Sequence, residues 1–455
     1  MIRHFGWIIV VVAFAALAPG AASGIEDRRP NVIVILADDL GPGDLSCYGG
    51  SIPTPHIDRM AKEGVRFTRY YSAAPICSPS RCGLITGQFP ARWRITSYLQ
   101  TRAGNRACGQ ADFLDPKAPS LPRALKAAGY RTVHVGKWHL GGGRDVVAPP
   151  RFAAYGYDFG LGTWESPEPK PNLTARDWIW SADDPVQRWV RTAWMCGVAQ
   201  GYLEGNPDEP SFVNLWLDDP HTPWVPSAAD QTIGKDGRAT GRGDTKERLR
   251  GVMVQLDRQV GELLDSLRNN RAGRPTIVLF LSDNGPLPSF QRARTVGLRG
   301  SKLSLYEGGV RLPFIAWGPG IVPAGVTNDA TVLAAVDLFP TLCRLFGAPL
   351  PAGYEGDGED MSPALLGKSP RRTRPLFWEY GRNDRSFDYP GGDDRSPNLA
   401  VLDGDWKLLV NDDGRGPELY HLASDPKEAR NRIADEPIVA RRRPDAVLNW
   451  RKSLP

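Results

Sequence analysis

After residue 30 the chain alternates short Val/Ile-rich runs with amphipathic segments, the pattern of parallel strands linked by helices. The runs Val32 to Ala37, Thr132 to Gly136, Phe212 to Leu217, Ile277 to Ser282 and Phe314 to Trp317 read as strands. His56 to Glu63, "SLPRALKAAGY" from Ser120, "TKERLRGVMVQLDRQVGELLDSLRNN" from Thr245, and Thr331 to Leu345 read as helices. Ser120 stands where a side chain caps a helix, Pro122 falls in the first turn, and Gly129 closes the end.

From about Ser369 the texture changes. "LAVLDGDWKLLV" and "ELYHL" read as short antiparallel strands around a "DGD" turn. The expected fold is α/β: a large mixed, mostly parallel sheet sandwiched by helices over residues 24–368, then a smaller C-terminal α+β subdomain with an antiparallel sheet over residues 369–455. The opening "MIRHFGWIIVVVAFAALAPGAASG" has the basic, apolar and small-residue parts of a secretory signal, with cleavage expected near Ser23. Its apolar run is short for a span of roughly twenty residues. An exported protein, periplasmic or extracellular, with no membrane span after cleavage is expected.

At 455 residues and 41% hydrophobic content the chain buries a large core, which excludes disorder. A net charge of +5 without a Lys/Arg run excludes a nucleic-acid partner and leaves room for a basic pocket facing an acidic substrate. The six cysteines fit no zinc spacing and are too few for a disulfide scaffold. If Cys77 serves chemistry, five remain, and at least one of these is unpaired within the chain.

Four strands run into polar clusters: Asp38 and Asp39, Lys137 and His139, Asp218, Asp219 and His221, and Asp283 and Asn284. Ligands of an open parallel sheet bind beyond the carboxyl ends of its strands, so the four clusters converge on one site. The oxygen-rich set Asp38, Asp39, Asp283 and Asn284 suits a hard divalent cation, Ca²⁺ or Mg²⁺, which would relieve the repulsion of crowded carboxylates. Lys137, His139, His221 and Lys302 suit an anionic group that leaves an oxyanion behind, hence a sulfate or phosphate ester.

The stretch "APICSPSRCGLITGQ" adds Cys77. The cysteine, five residues, arginine spacing of tyrosine phosphatases is absent, since Arg81 follows after three. The local pattern leaves open a thiolate nucleophile or a buried small hydrophobe. The segment after Cys77 can start a helix, whose N-terminus favours an anion.

"CSPSRCGLITG" resembles the type I sulfatase signature C-x-P-S-R-x-x-x-(L/M)-T-G, with Ile85 in place of Leu or Met. The resemblance runs through "ADDLGPGD", "GKWHLG", "PHTPW", "SDNG", "GLRGSKLSLYEGGVRLPFIAWGPG" and "ELYHLASDPKEARN", nearly the whole mature chain. It implies a formylglycine-dependent sulfatase of the alkaline phosphatase superfamily, similar to arylsulfatases and N-acetylgalactosamine-6-sulfatases. Cys77 would then be converted by a formylglycine-generating enzyme to an aldehyde, hydrated to a diol whose one hydroxyl attacks sulfur while the other later expels sulfate. The resemblance further implies a metal, Ca²⁺ ahead of Mg²⁺, held by Asp38, Asp39, Asp283 and Asn284 together with the converted Cys77. Arg81 would steady the nucleophile, and Lys137, His139, His221 and Lys302 would bind sulfate and serve the leaving group, with either histidine as the acid.

Substrate choice falls to segments between the motifs. Arg92, Arg94, Arg102 and Arg106 follow the nucleophile, and Trp164, Trp178, Trp180, Trp189 and Trp194 form a second group. Contacts to a sulfated sugar are expected, with Arg92, Arg94, Trp178 and Trp180 foremost. The competing assignment pairs the arginines with Asp112 and Asp115 and puts the tryptophans in the core. The expected substrate is a sulfated saccharide or aryl sulfate. A phosphoester or phosphonate hydrolase of the same superfamily and a non-catalytic glycan-binding protein are the rival functions.

Overall fold

The structure is a computed structural model, describing residues 29–163, 165–173, 184–227, 245–269, 273–381 and 390–455, the side chains of 441 and 442 excepted. The signal expected over residues 1–23 lies outside these, as do Trp164, Trp178 and Trp180. Strands β1 (Asn31–Ala37), β2 (Val65–Tyr71), β3 (Arg131–Gly136), β4 (Phe159–Gly162), β5 (Ser211–Trp216), β6 (Thr276–Ser282), β7 (Arg311–Trp317), β8 (Val326–Asn328) and β9 (Leu333–Ala334) form a nine-stranded sheet among the described residues. Its order is β4-β3-β5-β1-β6-β7-β2-β8, with β9 beside β2. The helices are α1 (Pro55–Lys62), α2 (Cys77–Thr86), α3 (Arg102–Ala107), α4 (Leu121–Ala127), α5 (Arg188–Glu204), α6 (Lys246–Arg268), α7 (Glu307–Val310), α8 (Leu338–Leu345), α9 (Ser362–Leu365) and α10 (Pro437–Lys452).

The run "NVIVILA" is continuously apolar after its asparagine because β1 is central and both its faces are covered. Val32, Val34 and Leu36 enter one core with Leu84 of α2, Leu121 and Leu125 of α4, and Leu342 of α8. Ile33, Ile35 and Ala37 enter the other with Val252, Leu256, Val260 and Leu263 of α6. Strands β4, β3, β5, β1 and β6 are mutually parallel, so the polar ends of β1, β3, β5 and β6 share one edge.

Three expectations are corrected. The segment at Phe314 to Trp317 is antiparallel to β6, not parallel, because residues 283–310 stay at the edge where β6 ends and β7 returns directly alongside. The helix expected over Thr331 to Leu345 begins only at Leu338; Leu333 and Ala334 pair with β2, and Asp337 accepts from the Ala334 amide at 2.7 Å. Pro340 in its first turn fits that late start. Ser120 occupies the cap position of α4, but its hydroxyl donates to the Tyr155 carbonyl instead of capping.

Strands β10 (Leu376–Glu379), β11 (Leu399–Asp403), β12 (Trp406–Val410) and β13 (Glu418–His421) form an antiparallel four-stranded sheet. Val447 of α10 packs into it beside Leu399, Val401 and Leu408. Lys407 joins this sheet to α7 of the larger one: buried, it bridges Glu307 at 2.9 Å and Glu428 at 3.0 Å.

Candidate active site

Cys77 is the first residue of α2, and that helix aims its unpaired N-terminal amides at the edge where β1 and β6 end. The thiol lies 3.5 Å from Asp38 Oδ1 and 3.5 Å from Lys137 Nζ. Burial pushes the Cys77 thiol up to about 12, so it is no thiolate at neutral pH.

Arg81, one helical turn further, is wholly buried and ties three elements together. Its Nε and Nη2 donate to Asp283 Oδ2 at 2.9 and 2.7 Å, and Nη1 donates to the Lys137 carbonyl at 2.7 Å. Its guanidinium lies over Trp216, 5.2 Å from the ring centre. Lys137 Nζ donates to Asp38 Oδ2 at 2.6 Å. Lys302 Nζ lies 2.7 Å from Asp39 Oδ1, and Asn284 Nδ2 donates to the same carboxylate oxygen at 2.7 Å.

The donor set fits a hard cation on two observations. Asn284 Oδ1 is buried without a hydrogen-bond partner among the described residues. Burial works to raise Asp38, but Lys137, His221, Arg81 and Lys302 hold it well below the usual carboxylate range, whereas burial and then the Asp38 charge push Asp283 up to about 7. Crowded carboxylates in this condition favour a metal among them. Ligand atoms of Asp38, Asp39, Cys77 and His221 all lie within 4.8 Å of one another, a group that includes His221 and does not include Asp283.

The two histidines differ. His139 Nε2 faces two acceptors, the Leu99 carbonyl and the Glu165 carboxylate, each at 3.1 Å, so that nitrogen carries the proton and Nδ1 is left without a partner among the described residues. Burial pushes His139 down to about 3. His221 Nδ1 is 2.6 Å from the Thr222 carbonyl, which turns Nε2 to Asp39 Oδ2 at 3.6 Å; burial and then Lys302 lower its pKa.

A buried ionic network under His221 escaped the sequence reading. Arg188 Nη2 donates to the Asp218 carbonyl at 2.8 Å and the His221 carbonyl at 2.9 Å, and Arg191 bridges Asp184 and Asp218, both at 2.7 Å. The available signal was a pair of arginines three apart on one face of α5. Trp194, on the same helix, packs against the sheet core. Arg92 is held by Asp357 through two 2.7 Å bonds, Arg94 donates to the Gly109 carbonyl at the surface, Arg102 pairs with Asp112 at 3.3 Å, and Arg106 is exposed. None of the six cysteines is in a disulfide among the described residues, and Cys82 is fully buried.

The sheet thus carries at one edge a buried cluster of carboxylates, lysines, an arginine and a cysteine, a setting suited to an anionic ester. The chain belongs to the sulfatase family, within the alkaline phosphatase superfamily, and is a sulfuric ester hydrolase: the Sulfatase family profile matches residues 30–348. The profile of the N-sulphoglucosamine sulphohydrolase C-terminal region matches residues 301–442. The chain is 30% identical to an N-acetylgalactosamine-6-O-sulfatase of Bacteroides thetaiotaomicron, with 92% of each covered. It is 33% identical to arylsulfatase A of Homo sapiens, covering 80% of this chain and 73% of that one. A solved structure concerned with metabolism of multiple glycosaminoglycans by Bacteroides thetaiotaomicron is 26% identical with a TM-score of 0.74, covering 94% of this chain and 100% of that one. Another, in complex with k-i-k-neocarrahexaose, is 25% identical with a TM-score of 0.71 and covers 90% of each chain.

Proposed function

We propose that the chain is an exported enzyme that removes sulfate from a sulfated carbohydrate, using an oxygen nucleophile made from Cys77 and a Ca²⁺ ion. The observation that carries this reading is the placement of the Cys77 side chain between Asp38 and Lys137 at the start of α2. Saccharide chemistry is supported by the relatives, which include N-acetylgalactosamine-6-sulfatases and a structure with a bound carrahexaose.

Asp38, Asp39, Asp283 and Asn284 would hold the Ca²⁺. When present, formylglycine supplies the oxygen nucleophile and Ca²⁺ polarises the sulfate oxygens. The chain's own groups do the rest. Lys137 and Lys302, each anchored on a carboxylate, present fixed positive charge to the sulfate, which lowers the energy of charge developing on its oxygens. Arg81 fixes Asp283 and the end of β3, so the nucleophile, Asp283 and Lys137 keep one geometry. His139 offers Nδ1 as a proton acceptor, because Nε2 is already engaged. His221, whose Nδ1–H is held by the Thr222 carbonyl, turns an acceptor Nε2 to the site, so it serves the departing alkoxide only by first taking up a proton at Nε2 and then returning it.

The test is turnover of a sulfate and a phosphate monoester of one aryl alcohol by protein from a conversion-competent host. Preference for the sulfate supports the proposal. Preference for the phosphate overturns it in favour of phosphoester hydrolysis, and turnover of neither leaves a binding protein.

A further inference from the structure

His221 reaches the site on a turn, and the residue that spans this turn lies outside the sulfatase motifs. Residues 218–221 follow β5, and each of their four carbonyls accepts a hydrogen bond. The Asp219 carbonyl accepts from the Asp38 amide at 3.0 Å, and the Pro220 carbonyl from Trp224 Nε1 at 2.8 Å. The first and last carbonyls share one donor: Arg188 Nη2 bonds that of Asp218 at 2.8 Å and that of His221 at 2.9 Å. A single guanidinium nitrogen therefore closes the turn that carries the imidazole.

The same helix grips the side chains of the turn. Asp219 has Oδ1 at 3.0 Å from Arg188 Nη2, and its Oδ2 accepts from Thr192 Oγ1 at 2.9 Å. Asp218 Oδ2 lies 2.7 Å from Arg191 Nη1, and Arg191 also pairs with Asp184. Arg188, Arg191 and Thr192 come from the first two turns of α5, each is 1% exposed, and the three carboxylates are buried with them.

Two guanidiniums and three carboxylates out of water are a poor device for stability alone, because desolvation offsets most of their attraction. What they supply is position: charge-assisted bonds from a rigid, planar donor fix the backbone of residues 218–221. Two consequences reach the site. With that backbone fixed and Nδ1 bonded to the Thr222 carbonyl, His221 Nε2 is aimed at Asp39 Oδ2, 3.6 Å away. Through the Asp219 carbonyl the turn also holds the amide of Asp38, whose Oδ1 lies 3.5 Å from the Cys77 thiol.

We propose that Arg188 is a positioning residue for His221, holding the imidazole where it can return a proton to the departing alkoxide, with Arg191 and Thr192 completing the clamp. The inference rests on the sulfatase function and the His221 role proposed above. Its test is Arg188→Lys in protein from a conversion-competent host, since lysine keeps the charge without the planar fork. The kcat for an alkyl sulfate is expected to fall roughly tenfold more than that for 4-nitrophenyl sulfate, whose phenolate departs without a proton, with KM little changed. In a His221→Ala background the same substitution is expected to add no leaving-group-selective loss, because the group it positions is gone. Thr192→Val keeps the charges and the volume; it is expected to show the same pattern at roughly threefold, and it carries the test where Arg188→Lys does not fold. Equal losses on the two esters, or a selective loss that persists without His221, overturn the positioning role and leave a structural ion network. A wild type that hydrolyses neither ester instead overturns the sulfatase reading beneath it.

Discussion

Lys137 Nζ donates to Asp38 Oδ2 at 2.6 Å and lies 3.5 Å from Cys77 Sγ, so one ammonium just past the end of β3 reaches both the proposed cation-binding set and the proposed nucleophile position. Replacing it with Met removes a preorganised charge from the place proposed for the sulfate. Lys137→Met is expected to lower kcat/KM for an aryl sulfate on the order of a hundredfold or more. Steady-state kinetics of a variant with native circular dichroism checks this, and a loss of less than about tenfold contradicts the role.

Calcium should stabilise the fold as well as serve the reaction. After chelation, Ca²⁺ at a hundredfold excess over its Kd is expected to add about 2.7 kcal/mol to unfolding stability. Asn284→Ala, which removes the unanswered Oδ1, should require roughly tenfold more Ca²⁺ for the same shift. A thermal midpoint of wild type indifferent to both chelator and Ca²⁺ would falsify the metal assignment.

The two histidines separate by leaving group. His221→Ala is expected to lose far more activity on an alkyl sulfate than on 4-nitrophenyl sulfate, whose phenolate departs without a proton. His139→Ala should slow both esters to a similar degree. The reverse pattern across a series of leaving groups would exchange the two roles.

His134 makes stability depend on pH away from the reacting groups. It lies among Trp138, Phe152, Tyr157 and Trp216, and burial pushes it down from 6.5 to about 3. The unfolded chain therefore binds this proton first: the contribution is complete above pH 6.5 and falls as the pH drops toward 3. At pH 5 the loss is about 2 kcal/mol. Urea unfolding at pH 7 and pH 5 should show His134→Phe to be less acid-sensitive than wild type by about that amount, and equal sensitivity contradicts the account.

The sheet was legible where strands are central. Runs such as Val32 to Ala37 are apolar on both faces because both are covered, and their polar ends share an edge because the strands are parallel. Strand β2 was not legible: "VRFTRYY" carries Arg66 and Arg69, and its partners are distant in sequence. Neither was the direction of β7, which depends on the course of residues 283–310 instead of on its own composition.

At the site, motifs gave residue types and tertiary structure gave their partners. Nothing local to Arg92 reveals that Asp357 neutralises it, and nothing local to Arg188 reveals that it holds the His221 turn.

The most direct measurement is mass spectrometry of the peptide containing Cys77, from active protein made in a conversion-competent host, alongside turnover of an aryl sulfate. The account predicts a mass below that of the cysteine peptide, matching formylglycine, with activity proportional to the converted fraction and none in Cys77→Ala. Full activity from protein whose Cys77 is an unmodified thiol would contradict it.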